Sequence, residues 1–561
     1  MAEINGGRLF AKALKNEGVD TIFTLVGGHI MTLMYGCREE GIKVIDVRHE
    51  MAGGYAADAF ARVSGKPAVL VTTAGPGITN TVTAMAEALF QGVPLIHIGG
   101  GSPLIENETG PLQDMNTLEI MGTVSKWSRK IYDTARIPEY VAMAFRYAMA
   151  GTPGPVYLEC PMNIMSQCMV EESTVKFPVN YRTTAQAFGD QALIDQAADL
   201  LVNAERPVLV IGDTARFSTQ YGEAIPELVD YLKMPVMCQT LARGLFADEA
   251  NPMFKIGGGA LPYADVVLNL CVNFDYRVAK GQAPLFPANA KLIQAHPDSA
   301  KVGYNTRADI GIIGGAGAVA KQILAAVKAK KAKQESLNWV QRAGELAQKA
   351  NTPFQIGFSS EGTPMQPGRC AFEVSKFLAG EGKDWTVVCD GGDASQWIKA
   401  AASAHRPGQI VNYGPLGTIG TGPGFSLGAW AANKKPVLYY TGDGSFGFYP
   451  MEFDTFVKQG VPVVCVISND SAWGMIKLSE SLIRPKEFGK GAVGCELAFM
   501  YPYEKLAALW DGYGVVVTKP EDIVPAIKRA VQSGKPAIIN VQVDQVSMSP
   551  ATASFAGVKK A

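Results

Sequence analysis

A chain of 561 residues with 51 Lys and Arg against 52 Asp and Glu carries a net charge of −1, and its basic residues are dispersed along its length. That balance supplies no electrostatic footprint for nucleic acid or for an anionic membrane surface. The length allows about three or four domains, each with its own core, and no run approaches the roughly 18 apolar residues of a membrane span.

In chain order, MAEINGGRLFAKALKNEG has the periodicity of an amphipathic helix with mixed charge and lacks the pattern of a signal peptide. VGGHI sets His29 in a glycine loop, and the strand IKVIDV (42–47) runs into HEMAGGYAADAFARVSG, a helical pattern with Glu50 near its start. A carboxylate there complements the helix dipole whatever else it does. KPAVLVTTAGPG (66–77), QGVPLIHIGGG (91–101) and GTPGPVYLECP (151–161) read as strand and turn units, with Gln113 in GPLQDM after the second and Met162 directly after the third.

RPVLVIGD (206–213), MPVMCQT (234–240), ADVVLNLCVN (264–273), AKLIQAHPD (290–298) and ADIGIIGG (308–315) read as buried parallel strands. Residues 328–366, a charged helical run and then a Gly/Ser/Pro stretch, read as linker and surface helix. Beyond it, KPVLYYTGDGS (435–445), QGVPVVCVISN (459–469) and SGKPAIINVQV (533–543) repeat the first three units in order. Three ordered matches predict two copies of one α/β unit. The expected fold class is α/β, with three doubly wound parallel-sheet domains over residues 1–185, 186–350 and 365–550.

The most informative stretch is Gly442-Asp443-Gly444-Ser445 at the end of one apolar run and Asn469-Asp470 at the end of the next, with Asp443 and Asp470 27 residues apart. Ligands of an open parallel sheet collect at the carboxyl ends of its strands, so the two carboxylates can converge on one cation. Mg²⁺ holding a diphosphate suits that geometry, although GDGS alone fits an ordinary strand turn equally well. Gly442 and Gly444 permit close backbone approach, and Ser445 opens a segment with free N–H groups. The nine cysteines form no Cys-x-x-Cys pair and lie mostly in apolar runs, as expected of reduced thiols in a cytoplasmic protein.

The Gly-Asp-Gly and Asn-Asp spacing resembles the signature of thiamine diphosphate-dependent enzymes, with Asp470 where the family has asparagine. The resemblance implies Mg²⁺ held by Asp443, Asp470 and the backbone carbonyl of Ala472. It implies that Glu50, before MAGGYAADAFAR and TTAGPGITN, contacts the aminopyrimidine, where its proton favours the imino tautomer that deprotonates thiazolium C2. GPLGTIGTGPG (414–424) resembles the segment beneath the bent cofactor, which makes Ile419 the wedge and Gly417 the carbonyl that receives the amino group. Ala394, Ser395, Gly442, Gly444, Ser445 and Met475 complete the implied cofactor contacts.

Within that family the chain resembles the acetolactate synthase-like group, nearest to benzaldehyde lyase and the 2-hydroxyacyl-CoA lyases on His29, Gln113 and TVSKW (123–127). His29 and Gln113 would then touch the substrate oxygen, in a pocket shared with Met162, Ser395, Tyr413 and Met475. Benzaldehyde lyase has tryptophan, tyrosine, histidine and alanine at those last four positions, and acetolactate synthase has a lysine at Met162. The tail SPATASFAGVKKA offers only Lys559 and Lys560 to an anionic CoA. The expected protein is a thiamine diphosphate- and Mg²⁺-dependent carbon–carbon lyase or carboligase on small aldehydes and 2-hydroxy ketones. It is expected without FAD and without a nucleic-acid or membrane partner, as a homodimer at least and a homotetramer by family habit. An acetolactate synthase-type 2-oxo acid carboligase, a 2-hydroxyacyl-CoA lyase and a catalytically silent cofactor-binding protein are the alternatives.

Overall fold

Apolar β-branched runs bounded by glycine and proline turns form three sheets in which every strand pair is parallel. A computed structural model describes residues 2–220, 222–248, 253–330, 337–488 and 491–555. Strands such as Leu95–Gly101 and Val463–Asn469 are buried along their whole length, as helices on both faces of a parallel sheet require.

The N-terminal sheet runs in spatial order Lys43–Asp46, Thr21–Leu25, Ala68–Thr72, Leu95–Gly101, Val156–Pro161 and Ser128–Lys130. The C-terminal sheet runs Ile410–Asn412, Thr386–Cys389, Val437–Gly442, Val463–Asn469, Ala537–Gln542 and Tyr513–Val517. Numbered within itself, each has the order 2-1-3-4-6-5, and the three strand pairs alike in sequence hold the same places in both. The repeated sequence is therefore a repeated topology. Between them, a five-stranded sheet orders Val236–Cys238, Pro207–Ile211, Val266–Leu270, Lys291–His296 and Ile310–Ile313.

The helix Glu50–Ser64 fixes the first copy against the second. His49 caps it, its Nδ1 accepting from Met51 N at 3.1 Å, and Gly65 ends it with φ 74°. Small residues along one face let it lie against the helix Gly422–Asn433, where Tyr55 meets Phe425 edge to face at 5.8 Å. A Cβ on Gly428 would stand 1.9 Å from the Ala56 carbonyl oxygen. Gly428→Ala is therefore expected to destabilise the fold by about 1–3 kcal/mol, read from the denaturant midpoint. An unchanged midpoint would remove this contact as a constraint.

The 328–366 segment is more than a surface linker where it is described. The helix Leu337–Phe358 carries Trp339, Ala343 and Leu346 at helical spacing, buried against the middle domain, and the Trp339 indole donates to the Pro207 carbonyl at 3.1 Å. Near its other end Phe354 and Phe358 pack on Trp397 of the C-terminal domain. Its apolar positions were visible among the charges; their partners, far away in sequence, were not. Lys559 and Lys560 lie outside the described residues. Cys168 is exposed and Cys238 half-buried, while the other cysteines are buried. Among the described residues no helix is long and apolar enough to cross a membrane.

Candidate active site

The strands Val437–Gly442 and Val463–Asn469 are hydrogen-bonded neighbours, with Gly442 beside Ser468, so the residues that follow each strand end emerge side by side. Asp443 is 1% exposed, and among the described residues its carboxylate oxygens make no well-formed hydrogen bond beyond a close approach to Asp470. Asp470 meets it, and both carboxyls are pushed well above the usual carboxylate range, first by burial and, for Asp470, by the charge of Asp443. Two buried carboxylates without a counter-charge are costly by themselves and form a ready donor set for a hard divalent cation.

Local sequence aims Asp470 into this site. Asn469 turns away: its amide donates to Asn540 Oδ1 at 3.1 Å and to the Tyr501 carbonyl at 3.3 Å, and its oxygen accepts from Ser471 N at 3.0 Å. Ser471 takes φ 57°, and the Ala472 N–H then reaches Asp470 Oδ1 at 3.2 Å. A side chain at Gly474 would put a Cβ 2.0 Å from Asp470 Oδ2, so any larger residue there would displace the Asp470 carboxylate. A cavity of about 260 Å³ is lined by Asp443, Asp470 and Ala472, by Gly442, Gly444 and Ser445, and by Ala394, Gly417, Ile419 and Met475. The structure thus brings together in one cavity the residues expected at the diphosphate and metal end. Ser395 lies beside it, fully buried, with its hydroxyl on the Gly392 carbonyl at 3.0 Å and the Tyr413 hydroxyl at 3.1 Å.

The loop bearing Gly417 and Ile419 is held by two carboxylates that sequence reading did not single out. Asp390 accepts from Gly391 N at 2.6 Å, Gly420 N at 3.1 Å and Gly422 N at 2.9 Å. Glu87, reaching across from the first copy, accepts from Gly414 N and Thr418 Oγ1, and Arg62 Nη2 donates to it at 3.3 Å. Glu87, Arg62 and Asp58 are fully buried and paired, so the loop is anchored from both domains. Glu87 stands 327 residues from Gly414, and Asp390 30 residues from Gly420, and no local pattern marked either acid.

At the other end, Glu50 is 7% exposed and its Oε2 accepts from Asn80 Nδ2 at 3.0 Å. Asn80 is the last residue of TTAGPGITN, so the motif was visible and its contact was not. Glu452 of the second copy steadies the approach to Glu50, its Oε1 accepting from Arg48 N at 2.9 Å and His49 N at 3.0 Å. His29 is buried, with Nδ1 3.1 Å from Thr73 Oγ1, and Thr73 Oγ1 lies 3.4 Å from Gln113 Oε1. Burial lowers the His29 pKa, opposed by a hydrogen bond with the Leu112 backbone. Thr73 is therefore the missing link between the two residues expected to meet substrate. Gln113 holds φ 63°, packed against Gly75. Met162 follows the strand Val156–Pro161 and is half-buried; it lines neither this cavity nor the next.

Above Ile419 a second cavity, about 540 Å³, opens between the C-terminal and middle domains. Tyr413 and Met475 line it, along with Gln396, Lys399 and the middle-domain Arg277. Burial pushes the Tyr413 phenol up to about 12, so it is a neutral donor at ordinary pH. Within one chain Glu50 lines neither cavity.

A buried acid opening a helix in one copy, and a carboxylate pair below an isoleucine-bearing glycine loop in the other, define an enzyme that takes a diphosphate cofactor at the carboxyl ends of parallel strands. The chain belongs to the thiamine pyrophosphate enzymes, in the acetolactate synthase-like group. Residues 4–120 match the family model for the N-terminal TPP binding domain, 194–323 that for the central domain and 390–541 that for the C-terminal TPP binding domain. It is 30% identical to the probable acetolactate synthase of Mycobacterium bovis over 99% of this chain and 98% of that one. It is 28% identical to 2-hydroxyacyl-CoA lyase 2 of Danio rerio, over 97% and 92% of the two chains. Its identity to oxalyl-CoA decarboxylase of Escherichia coli K12 is 26%, over 96% and 95%.

Proposed function

We propose that this protein is a thiamine diphosphate- and Mg²⁺-dependent carbon–carbon lyase or carboligase that acts on aldehydes and 2-hydroxy ketones. The observation that supports it most directly is the Asp443 carboxylate, buried and, among the described residues, without a well-formed hydrogen bond beyond its approach to Asp470, in a cavity that also presents Ile419. Asp443, Asp470 and the Ala472 carbonyl would hold Mg²⁺ and through it the diphosphate. When bound, thiamine diphosphate supplies a thiazolium carbon that accepts a carbonyl carbon and shelters the electron pair left by carbon–carbon cleavage. Glu50 would exchange a proton with the aminopyrimidine, with Asn80 fixing the rotamer. Ile419 would pack against the bound cofactor, and His29, Thr73 and Gln113 would offer neutral donors and acceptors to a substrate oxygen.

Because, among the described residues, Glu50 does not line the cavity that holds the carboxylate pair, a homodimer would complete each site, with a homotetramer as the assembly. The proposal also includes purification without FAD, since the residues expected at substrate side with benzaldehyde lyase at His29 and Gln113. Steady-state assays on acetoin, benzoin, pyruvate and a 2-hydroxyacyl-CoA test the reading. Cleavage of acetoin or benzoin without release of CO₂ is expected. Turnover confined to pyruvate with CO₂ release, together with stoichiometric flavin absorbance, would replace it with the 2-oxo acid carboligase reading. Turnover confined to the thioester would replace it with the CoA lyase reading.

A further inference from the structure

Lys399 is the feature of the substrate-side cavity that a purely neutral substrate leaves unexplained. It projects from the helix Asp393–Ala401 into the cavity of about 540 Å³ shared with Tyr413, Gly417, Ile419 and Met475. Its ammonium lies over the Tyr413 ring, 5.6 Å from the centroid, and among the described residues no carboxylate comes within ion-pairing distance of it. The nearest side-chain cations act against it. Arg277 faces it from the middle domain, and Arg243 donates to the Lys399 carbonyl at 2.5 Å.

The two guanidiniums are occupied elsewhere. Arg277 Nη2 is shared between Asp213 Oδ2 and Asp275 Oδ2, each at 2.7 Å. Arg243 is spent on the Lys399 and Ala402 carbonyls and a 3.8 Å approach to Asp248. Lys399 is left as an ammonium with unused donors, among like charges, in a partly desolvated wall. Such a group is costly unless something anionic regularly arrives.

We propose that Lys399 is a specificity-determining residue that receives a carboxylate at the far end of the acceptor aldehyde, so that the preferred acceptors are oxo-acids whose carboxylate is remote from the reacting carbonyl. The inference rests on the reading of this cavity as the substrate's approach to the cofactor. The cavity adjoins the diphosphate side, since Ile419 and Met475 line both cavities. A lysine serves this purpose as a point charge tolerant of chain length, where an arginine fork would demand one geometry. Burial lowers the Lys399 pKa to about 8, opposed by Cys389 and reinforced by Arg243 and Arg277, so the ammonium persists at neutral pH and is lost in mild alkali.

The test compares 4-oxobutanoate with butanal, acceptors of equal chain length that differ by the carboxylate, on holoenzyme loaded with thiamine diphosphate and Mg²⁺. Calorimetric titration is expected to show 4-oxobutanoate binding about 10- to 100-fold tighter at pH 7, the usual worth of a charge-assisted hydrogen bond. Lys399→Met should erase the preference and Lys399→Arg should keep most of it. The wild-type preference should fade as pH rises through about 8. Equal binding by the wild type, or a preference that survives in Lys399→Met, overturns the assignment. Carboligation rates with the same pair separate the two readings: preferential binding without any ligation product leaves Lys399 in its role and defeats the carboligase reading, whereas ligation of both acceptors with equal KM does the reverse.

Discussion

Glu50→Gln is expected to leave folding, assembly and cofactor binding intact while slowing deuterium exchange at thiamine diphosphate C2 by about 10²–10⁴-fold, the usual worth of a positioned acid–base group. The amide is nearly isosteric and its oxygen can still accept from Asn80, whose Nδ2 stands 3.0 Å from Glu50 Oε2, so the helix start and the side-chain rotamer should survive. Only the proton is lost. Glu452 holds the backbone of Arg48 and His49 just ahead of it, which further separates a chemical defect from a structural one. Exchange measured by proton NMR at the wild-type rate would remove Glu50 from activation, and would favour the silent cofactor-binding alternative if the wild-type rate itself equals that of free cofactor.

Asp443→Ala should abolish cofactor retention at micromolar concentrations, because it removes one of the two carboxylates that face each other in the cavity, and with it the charge that would hold a bridging cation. Asp470→Ala should do the same, while Asp470→Asn should be tolerated, since it keeps an oxygen ligand and relieves repulsion between two buried acids. Equilibrium dialysis of thiamine diphosphate with and without Mg²⁺ reads all three. Asn469→Ala is the control: its side chain is committed to Asn540, Tyr501 and Ser471, so it should cost stability before it costs affinity. Normal binding by Asp470→Ala with loss in Asn469→Ala would move the ligand one residue back.

How much of this was legible in advance follows from where each interaction closes. Asp443 and Asp470 could be paired on paper because successive parallel strands end at the same edge of a sheet, which turns a sequence spacing into a spatial one. The repeated units could be matched for the same reason, strand by strand. Asp390, Glu87 and Asn80 could not be given roles, since their partners are brought near by folding within one domain for Asp390 and Asn80 and by the packing of the first copy on the second for Glu87. Thr73 sat inside a quoted motif, but only the structure shows it between His29 and Gln113. Lys399 is the sharpest case. In sequence it is one cation among many, and attention fell on Met162, where acetolactate synthase has its lysine; the cavity wall is composed by the meeting of two domains.

The doubled topology has a further consequence. When KPAVLVTTAGPG is laid on KPVLYYTGDGS, Ala74 falls where Asp443 stands, and laying QGVPLIHIGGG on QGVPVVCVISN puts Ser102 at Asp470. Two near-identical platforms thus differ at the strand tips by a pair of charges, and that difference gives an otherwise symmetric scaffold a polarity. A ligand with one ionic end and one heteroaromatic end would therefore meet different chemistry at the two sets of strand tips, so the repeated fold does not present two equivalent docking directions.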